Sequence, residues 1–202
     1  QCGSRGLGDV YKRQLKNIAH PLFLGRVENI EYLAKQQRLT FKRSGLSDPT
    51  CINSYQSLAG FKGLTKALSI DSQLIVDELK NSGLRGRGGA AFPAGIKWQT
   101  VLDTPGEQKY IVCNADEGDS GTFADRLLME SDPYQLVEGM TIAGLAVGAN
   151  QGYIYLRSEY PVAHKILNHA IKEAYKAGFL GENIRDSGKD FFLEVRLGAG
   201  AY

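Results

Sequence analysis

Residues 132–156 have the sequence DPYQLVEGMTIAGLAVGANQGYIYL, in which an apolar helix is followed at once by a strand. Asp132 at the N-cap and Pro133 in the first turn predict where the helix begins, and Gly148 predicts where it ends. The apolar run 153–156 predicts the strand. This order of helix and strand decides the fold, because it recurs on both sides of the stretch.

Two further strands and one further helix flank that stretch. The short apolar run YIVC at 110–113 is typical of a buried parallel strand, and the alternating segment 191–197 predicts a third strand. Pro161 opens a helix that Gly178 ends, and its apolar face comprises Ile166, Leu167, Ala170, Ile171, Ala174 and Tyr175. Strands separated by helices of this length predict an α/β fold with a Rossmann-like parallel sheet.

The segment before the sheet is polar and mixed, and it predicts a small helical N-terminal region at residues 15–82. Residues 73–80 carry apolar side chains at helix spacing. Asp71 or Ser72 can cap the start of this helix, and Gly83 can end it.

Three parts of the chain are therefore expected. Residues 1–14 are rich in Gly and Arg and aperiodic, which leaves two interpretations open, a translated cloning adapter or a native disordered tail. The helical region 15–82 follows and includes a second predicted helix at 26–38. The α/β domain then occupies residues 83–202.

Composition and charge exclude several classes of protein. The formal net charge of +2 gives no reason to expect a nucleic-acid partner. The longest apolar stretch, 140–149, is short and interrupted by glycines, so a direct membrane span is not expected. Cys2, Cys51 and Cys113 form no CxxC pair, which fits a reducing cytoplasm. Three cysteines also cannot supply the four ligands of an iron–sulfur cluster.

The strongest local feature is the glycine loop, residues 82–95, with the sequence SGLRGRGGAAFPAG. Its five glycines permit positive φ and close approach of the backbone to a ligand, and successive exposed amides form an anion-binding nest. A predicted helix over 96–102 adds the positive end of its dipole, and Arg85, Arg87 and Lys97 add full charges. The loop therefore fits a phosphate and the dipolar edge of a flavin or nicotinamide dinucleotide.

The glycine loop matches neither of the common phosphate-binding motifs. No Gly-Lys-Ser/Thr follows at Walker A spacing, and no predicted strand precedes the loop, as a GxGxxG Rossmann turn requires. Taken alone, the loop leaves two other interpretations open, a tight turn between helices and an Arg-Gly segment that contacts RNA.

A second candidate is the acidic loop, residues 113–126, CNADEGDSGTFADR, which leaves the first strand at its carboxyl end. Ligands bind at that edge of open α/β sheets. Asn114 offers a donor and an acceptor that match the imide edge of a flavin. Asp116, Glu117 and Asp119 can accept hydrogen bonds from ribose or ribityl hydroxyls. A solvated acidic loop and a calcium loop are the other interpretations, although the carboxylate spacing differs from that of an EF-hand.

Together the two loops resemble a known family. SGLRGRGGAAFPAGIKW (82–98) and VCNADEGDSGTFADR (112–126) are closely similar to the FMN- and NADH-binding flavoprotein subunit family of NADH-quinone oxidoreductase, which is respiratory complex I. The resemblance continues through DPYQLVEGMTIAGLAVGANQGYIYLRSEYP (132–161) to LEVRLGAGAY (193–202), and it covers residues 31–202. The same module occurs in NAD-dependent formate dehydrogenases and NAD-reducing hydrogenases.

Within this family, three positions look more like the beta subunit of NAD-dependent formate dehydrogenase. Complex I members usually carry Gly where this chain has Ala91, Glu where it has Asp119, and Pro where it has Ser120. The resemblance therefore implies a formate dehydrogenase, with a complex I or NAD-reducing hydrogenase flavoprotein subunit as the alternative.

The resemblance implies an oxidoreductase subunit that exchanges a hydride between NAD(H) and FMN and relays electrons to or from iron–sulfur clusters. Its cofactors would be FMN and NAD, with a 4Fe-4S cluster in the full-length family member but not in this chain. Its partners would be a thioredoxin-like 2Fe-2S subunit or domain and an iron–sulfur or molybdopterin subunit. The location would be cytoplasmic, peripheral to the inner membrane only through those subunits.

By the same resemblance, the glycine loop and Lys97 would hold FMN and the dinucleotide, and Phe92 would stack near the adenine or nicotinamide. The expected cofactor-binding residues are Gly86, Arg87, Gly88, Gly89, Ala90, Phe92, Gly95, Lys97, Asn114, Asp116, Glu117 and Asp119. Glu117 and Tyr202 are the expected catalytic residues, with Tyr202 beside the flavin. No residue of this chain is expected to bind a metal.

The family continues after GAGAY with a Gly-Glu-Glu element, a ubiquitin-like domain and a helical bundle that carries the cluster cysteines. This chain is therefore expected to lack those C-terminal domains, to bind FMN weakly or not at all, and to be inactive alone. An alternative of another class is a structural relative that has kept the fold without the flavin.

Overall fold

The computed structural model describes residues 29–200 of the chain. The helices before the first strand in that range are α1 (Glu31–Ala34), α2 (Ile52–Ser57), α3 (Lys62–Leu68), α4 (Ser72–Ser82) and α5 (Ala94–Asp103). Asp71 caps α4, because its carboxylate accepts a hydrogen bond from the Leu74 amide at 2.9 Å. Gly83 ends the same helix in the left-handed conformation. The helix predicted over 73–80 is confirmed.

The helix predicted over 26–38 is wrong in its length. Its described part contains only the four residues of α1, and none of them is buried. One helical turn without a packed face is not stabilised by its own hydrogen bonds. The start of that prediction lies outside the described residues, as does the interpretation of residues 1–14.

The remaining elements alternate between strand and helix. In chain order they are β1 (Tyr110–Ala115), α6 (Ala124–Ser131), α7 (Pro133–Val147), β2 (Gln151–Arg157), α8 (Pro161–Lys176), a 3-10 turn (Ile184–Asp186) and β3 (Phe192–Gly198). The strands form one parallel sheet in the order β1-β2-β3, with Val112, Tyr153 and Glu194 in register. The α/β fold with a Rossmann-like parallel sheet is confirmed.

The two faces of the sheet have different surroundings. Side chains alternate between faces along a strand, and Ile154 and Leu156 on one face of β2 are fully buried, where α7 packs on this strand. On the other face Tyr110 is 54% and Val112 is 63% exposed. The prediction that 110–113 is a buried strand is therefore wrong, although the strand is parallel. The run is apolar throughout, but the described residues cover only one of its faces.

Helix α7 lies at the centre of the core and is apolar on almost every side. Gly144 allows it to approach the sheet, because a Cβ there would lie 2.4 Å from the buried Phe191 ring. The same ring approaches Gly152 in β2, where a Cβ would lie 2.8 Å away. Both glycines are therefore required by close packing. Within residues 29–200, no helix is long and apolar enough to cross a membrane.

The start of α7 is confirmed, but its expected side-chain cap is wrong. The Asp132 side chain makes no capping hydrogen bond; its Oδ2 instead accepts one from Arg43 Nε at 2.9 Å. The Asp132 carboxylate is only 1% exposed, and this burial raises its pKa while the Arg43 charge counteracts the rise. A tertiary ion pair has replaced the local cap.

Helix α8 begins at Pro161 as predicted, and Gly178 follows its end with a φ of 71°. The predicted apolar face is buried except for one residue. Tyr175 is 37% exposed, and its hydroxyl accepts a hydrogen bond from the Leu193 amide at 2.9 Å. Tyr175 therefore lies against the edge of β3 instead of inside the core.

Candidate functional site

The acidic loop begins at the carboxyl end of β1, as the sequence predicts. Asn114 is exposed, and its side-chain oxygen accepts a hydrogen bond from the Asp116 amide at 3.2 Å. Glu117 then adopts a left-handed backbone conformation with a φ of 47°, which is uncommon for a residue that carries a Cβ. The chain turns sharply here and leads into α6.

The Glu117 carboxylate is fully engaged within the protein. It accepts hydrogen bonds from the Asp125 amide at 2.7 Å, the Arg126 amide at 3.0 Å and the Tyr160 hydroxyl at 2.8 Å. The Glu117 carbonyl accepts a further bond from Arg157 Nη1 at 2.7 Å. The carboxylate thus satisfies two of the free amides at the start of α6 and carries the charge that the helix dipole favours there.

Tyr160 links this loop to the carboxyl end of the neighbouring strand. It lies directly before α8, and only 8% of its surface is exposed. The Arg157 and Arg126 guanidinium carbons lie 5.1 and 5.5 Å from the centroid of its ring. Burial, and then the hydrogen bond to Glu117, raise the pKa of the Tyr160 hydroxyl. The hydroxyl therefore stays protonated and donates to Glu117 at neutral pH.

Two carboxylates of the acidic loop are not engaged. The Asp116 and Asp119 side chains make no hydrogen bond or ion pair with any group of residues 29–200. Asp119 is exposed and Asp116 is half-buried. They remain the acceptors of this loop that are available to a hydroxyl-bearing ligand.

Two other titratable groups adjoin the acidic loop. Cys113 in β1 is half-buried, not buried as predicted, although it packs against the core on the covered face of this edge strand. Burial, with a smaller effect of Asp125, raises the pKa of its thiol to about 11. Burial and the Glu117 charge raise the pKa of Asp125. Among residues 29–200, no three His, Cys, Asp or Glu side chains are grouped to hold a metal ion.

The glycine loop joins α4 to α5 and is closed by its own backbone. The Gly86 amide donates to the Phe92 carbonyl and the Ala94 amide to the Leu84 carbonyl, each at 2.9 Å. Arg85 Nη1 donates to the Ala91 carbonyl at 3.1 Å. The loop is therefore a closed hairpin-like turn between two helices.

The tip of the glycine loop is open to solvent. Gly86, Arg87, Gly88, Gly89 and Ala90 are all exposed. A Cβ added at Gly88 or Gly89 would meet no atom within 4 Å, and Gly89 has a φ of 102°. At Gly89 glycine is required by backbone conformation and not by contact with the rest of the protein, and the open space at both positions suits the approach of a ligand.

Helix α5 begins at Ala94, two residues earlier than predicted, so its first amides follow the glycine loop directly. Lys97 lies in the first turn, with its Nζ 5.7 Å from the centroid of the Phe92 ring. No carboxylate of residues 29–200 forms an ion pair with Lys97. Phe92 is 45% exposed, so a cation and an aromatic face are both accessible.

Gly95 has a different environment from the other predicted cofactor ligands. It is buried, and a Cβ there would lie 2.9 Å from the backbone nitrogen and Cα of Lys80 in α4. Glycine at this position allows α4 and α5 to pack closely. Tyr202, which is predicted to lie beside the flavin, is outside the described residues.

Sequence reasoning missed Tyr160 and Arg157. The carboxyl ends of neighbouring parallel strands meet at one edge of a sheet, so the residues that follow β2 lie beside those that follow β1. That rule points to residues 157–160 as candidates for contact with the acidic loop. It does not say which side chain bonds to which.

The family comparison covers both loops. A family model described as the Nuo51 FMN-binding domain matches residues 79–202, which is more than half of the chain. The chain belongs to the Nuo51 FMN-binding domain family. Both the glycine loop and the acidic loop lie inside the matched residues, so the family assignment and the two candidate loops concern the same part of the molecule.

Individual relatives agree with this family. The chain is 51% identical over 168 residues to the NADP-reducing hydrogenase subunit HndC of Solidesulfovibrio fructosivorans, a match that covers 83% of this chain and 34% of that protein. It is 46% identical over 171 residues to an NADH-quinone oxidoreductase subunit of Aquifex aeolicus (strain VF5), which covers 85% of this chain and 40% of that protein. The chain thus spans less than half the length of these relatives.

A solved structure shows the same likeness in three dimensions. The chain resembles a chain of the NAD+-reducing [NiFe]-hydrogenase crystal structure in the H2-reduced state, with a TM-score of 0.60 and 37% sequence identity. This match covers 67% of this chain and 22% of the hydrogenase chain.

Proposed function

We propose that the chain is the FMN- and NAD-binding part of an NADH dehydrogenase-type flavoprotein subunit. The observation that carries this proposal is the open tip of the glycine loop, which precedes the first turn of α5. Lys97 in that turn forms no ion pair with any carboxylate of residues 29–200. Exposed amides, a helix N-terminus and a lysine ammonium all favour a phosphate group. The family match over residues 79–202 supports flavin mononucleotide as the bearer of that phosphate.

The residues of both loops fit the parts of FMN. The amides of residues 87–89 and the Lys97 ammonium would hold the phosphate, since the Gly86 amide already donates to the Phe92 carbonyl. Phe92 would offer an apolar face to a ring. Asp116 and Asp119 would accept hydrogen bonds from ribityl and ribose hydroxyls, since neither carboxylate has another partner among residues 29–200. Asn114 would contact the imide edge of the flavin through its exposed amide.

When bound, the flavin supplies the hydride chemistry, and the protein supplies position and electrostatics. The contacts of Glu117 favour a positioning role over the catalytic role expected from the sequence. Its carboxylate already accepts three hydrogen bonds, so moving a proton would break the structure at the start of α6. The role of Tyr202 stays a prediction, as does the role of Gly95 in cofactor binding.

We further propose that the complete subunit works in a multi-subunit redox complex. Ala91, Asp119 and Ser120 favour an NAD-dependent formate dehydrogenase, with a thioredoxin-like 2Fe-2S subunit and an iron–sulfur or molybdopterin subunit as partners. The relatives named as subunits of a hydrogenase and of NADH-quinone oxidoreductase support the other two complexes. A cytoplasmic location belongs to the same proposal, as does a 4Fe-4S cluster on a part of the subunit beyond this chain.

Titration of FMN fluorescence with the purified chain tests the binding proposal. We expect weak but saturable quenching, because the chain spans only 34–40% of these relatives. Lys97→Ala should weaken it at least about tenfold because a charge-assisted hydrogen bond to phosphate is lost. Lys172→Ala is the matched control, since Lys172 is an exposed lysine on the last turns of α8, away from both loops.

Two outcomes would count against the proposal. Absence of saturable quenching by the unaltered chain would favour the flavin-free structural relative for this polypeptide. Equal loss of affinity in Lys97→Ala and Lys172→Ala would mean that nonspecific charge, and not the glycine loop, attracts the phosphate.

A further inference from the structure

The conformation of Glu117 needs an explanation that the acidic loop itself does not provide. A left-handed backbone is unfavourable at a residue with a Cβ, and such conformations persist only where surrounding contacts over-determine them. Glu117 has a φ of 47° and stands between the two uncommitted carboxylates, Asp116 and Asp119. The contacts that hold Glu117 in this conformation therefore also determine where Asp116 and Asp119 lie.

The contacts that hold Glu117 come from two directions. The Asp125 and Arg126 amides belong to α6, the helix into which the acidic loop leads. The Tyr160 hydroxyl and Arg157 Nη1 come from the end of β2, which is separate from the loop. This second pair ties the loop directly to the strand beside β1.

Of these two residues, Tyr160 is the better anchored. It is 8% exposed and belongs to the hydrophobic core. Its carbonyl accepts the His164 amide at 3.0 Å in the first turn of α8, and its own amide donates to the Arg157 carbonyl at 3.3 Å. Arg157 is itself shared, because its Nε also donates to Glu159 at 3.2 Å.

We propose that Tyr160 is a positioning residue for the ligand-binding edge of the sheet, and that its hydroxyl holds Glu117 in the left-handed conformation that leaves Asp116 and Asp119 free for the hydroxyls of FMN or NAD. This inference rests on the proposed function for its ligand, but the positioning itself does not. Tyr160 would contact no reacting atom; it would act through Glu117, while the longer contact of its hydroxyl with the Thr122 carbonyl, at 3.5 Å, lies in the same loop.

The loss of one hydroxyl tests this role. In Tyr160→Phe the aromatic ring keeps its packing between α8 and the arginines, while the bond to Glu117 is lost. Tyr175→Phe is the matched control, because Tyr175 also uses its hydroxyl to bond the backbone, at Leu193 beside β3. Both variants of the 202-residue chain are to be compared by amide hydrogen exchange without ligand and by FMN titration.

We expect Tyr160→Phe to speed amide exchange in residues 117–126 about tenfold, because local opening becomes easier, while exchange in β3 stays unchanged. Tyr175→Phe should show the reverse pattern. FMN affinity should fall about tenfold in Tyr160→Phe and stay constant in Tyr175→Phe. A tyrosine with a merely structural role would lower overall stability without this local and ligand-specific pattern.

A second variant keeps the test decisive if Tyr160→Phe folds poorly. Glu117→Gln removes the charge of the acceptor on the other side of the same contact, so it should speed amide exchange in residues 117–126 and weaken FMN binding, as Tyr160→Phe does. Unchanged exchange in residues 117–126 of Glu117→Gln would overturn the proposal.

The two proposals fail in different ways. If the unaltered chain binds no FMN, the proposed function fails, and the exchange pattern alone decides whether Tyr160 positions the loop. If Tyr160→Phe loosens the loop but leaves measured FMN affinity unchanged, binding stands and the role of Tyr160 at the ligand site is refuted.

Discussion

Two glutamates in different regions of the molecule make the same set of contacts. Glu138 on α7 accepts hydrogen bonds from the Tyr55 hydroxyl at 2.5 Å, the Phe61 amide at 2.8 Å and the Leu64 amide at 2.9 Å. Glu117 likewise accepts one tyrosine hydroxyl and two amides. In each case the two amides lie at the start of a helix, α3 for Glu138 and α6 for Glu117.

The two clusters differ in their surroundings and in what they join. Glu138 is 9% exposed, and its donors lie 74 to 83 residues away in the N-terminal helices. Glu117 is half-buried at the carboxyl edge of the sheet, and its two amides come from the next helix in the chain. The first cluster fastens one region of the fold to another. The second shapes one loop, and its carboxylate has one distant partner, the Tyr160 hydroxyl.

The same hydrogen-bond pattern has different effects in the interior and at the solvent-exposed edge of the sheet. In the interior, a donor or acceptor that loses its partner cannot form a hydrogen bond to water instead. Each contact of Glu138 therefore contributes to the free energy of unfolding. At the edge, water can replace a lost partner, so the contacts of Glu117 contribute less to stability. There they determine which conformation the acidic loop adopts.

The largest effect is expected from Glu138→Gln. The amide retains one acceptor oxygen but turns an NH2 group toward a donor, which leaves a buried amide of α3 unpaired. The free energy of unfolding should fall by about 3 kcal/mol. Chemical denaturation measures this, with Glu182→Gln at an exposed site as control. A loss below about 1 kcal/mol would show that the interior cluster is no more important than an exposed one.

These clusters also mark the limit of what the sequence could predict. Helices α4, α7 and α8 and the parallel strands follow from local patterns, namely periodic apolar residues, caps and glycine ends. The exposed face of β1 could not be predicted, because an apolar run does not say how many faces are covered. The missing side-chain cap at Asp132 depended on Arg43, which lies 89 residues earlier in the chain.

At the candidate site, too, local features could be predicted from the sequence and long-range contacts could not. The composition of the glycine loop and the place of the acidic loop after β1 are local features, and both were predicted. The bond between Glu117 and Tyr160 spans 43 residues, and the sequence contains no periodicity that pairs them. Only the rule that parallel strands end at one edge of a sheet brings the two segments close.

The pH dependence of stability should sharpen the contrast between the two tyrosines. Burial, and then the bond to Glu138, raise the pKa of Tyr55 above its ordinary value of 10.0. Since the unfolded chain releases this proton first, the folded state loses stability as the pH rises beyond about 10, by about 1.4 kcal/mol per pH unit for one proton. Below a pH of about 10 this contribution is fully present.

Tyr55→Phe should therefore reduce the loss of stability above a pH of about 10 by the share of one proton. Tyr160→Phe should reduce it less, because the Tyr160 hydroxyl, whose pKa is also raised, is less buried. Denaturant unfolding at a series of alkaline pH values measures the slope. Parallel curves for the unaltered chain and Tyr55→Phe would mean that the hydroxyl of Tyr55 titrates normally and that the interior cluster is open to water.

Glu117→Gln should cost less than Glu138→Gln, about 1 kcal/mol of unfolding free energy, which is the usual contribution of a helix cap. Its effect on function should be the larger of the two, because FMN affinity should fall for Glu117→Gln and stay constant for Glu138→Gln under folding conditions. Denaturation and FMN titration on both variants give the four values required. Equal losses of stability would remove the distinction between interior and edge.

The smallest effect is expected at Glu159, which lies beside the Glu117 cluster without belonging to it. Glu159 accepts a hydrogen bond from Arg157 Nε at 3.2 Å, and its side chain is 53% exposed, so water and salt screen the pair. Arg157 holds the Glu117 carbonyl through a different nitrogen, Nη1, and can keep that bond without Glu159. Glu159→Gln should therefore leave the unfolding midpoint and the amide exchange of residues 117–126 unchanged. If exchange in those residues instead rose as in Tyr160→Phe, the acidic loop would depend on the orientation of Arg157 as much as on Tyr160. The edge cluster would then be a charge network open to salt, unlike the three-donor pocket of Glu138.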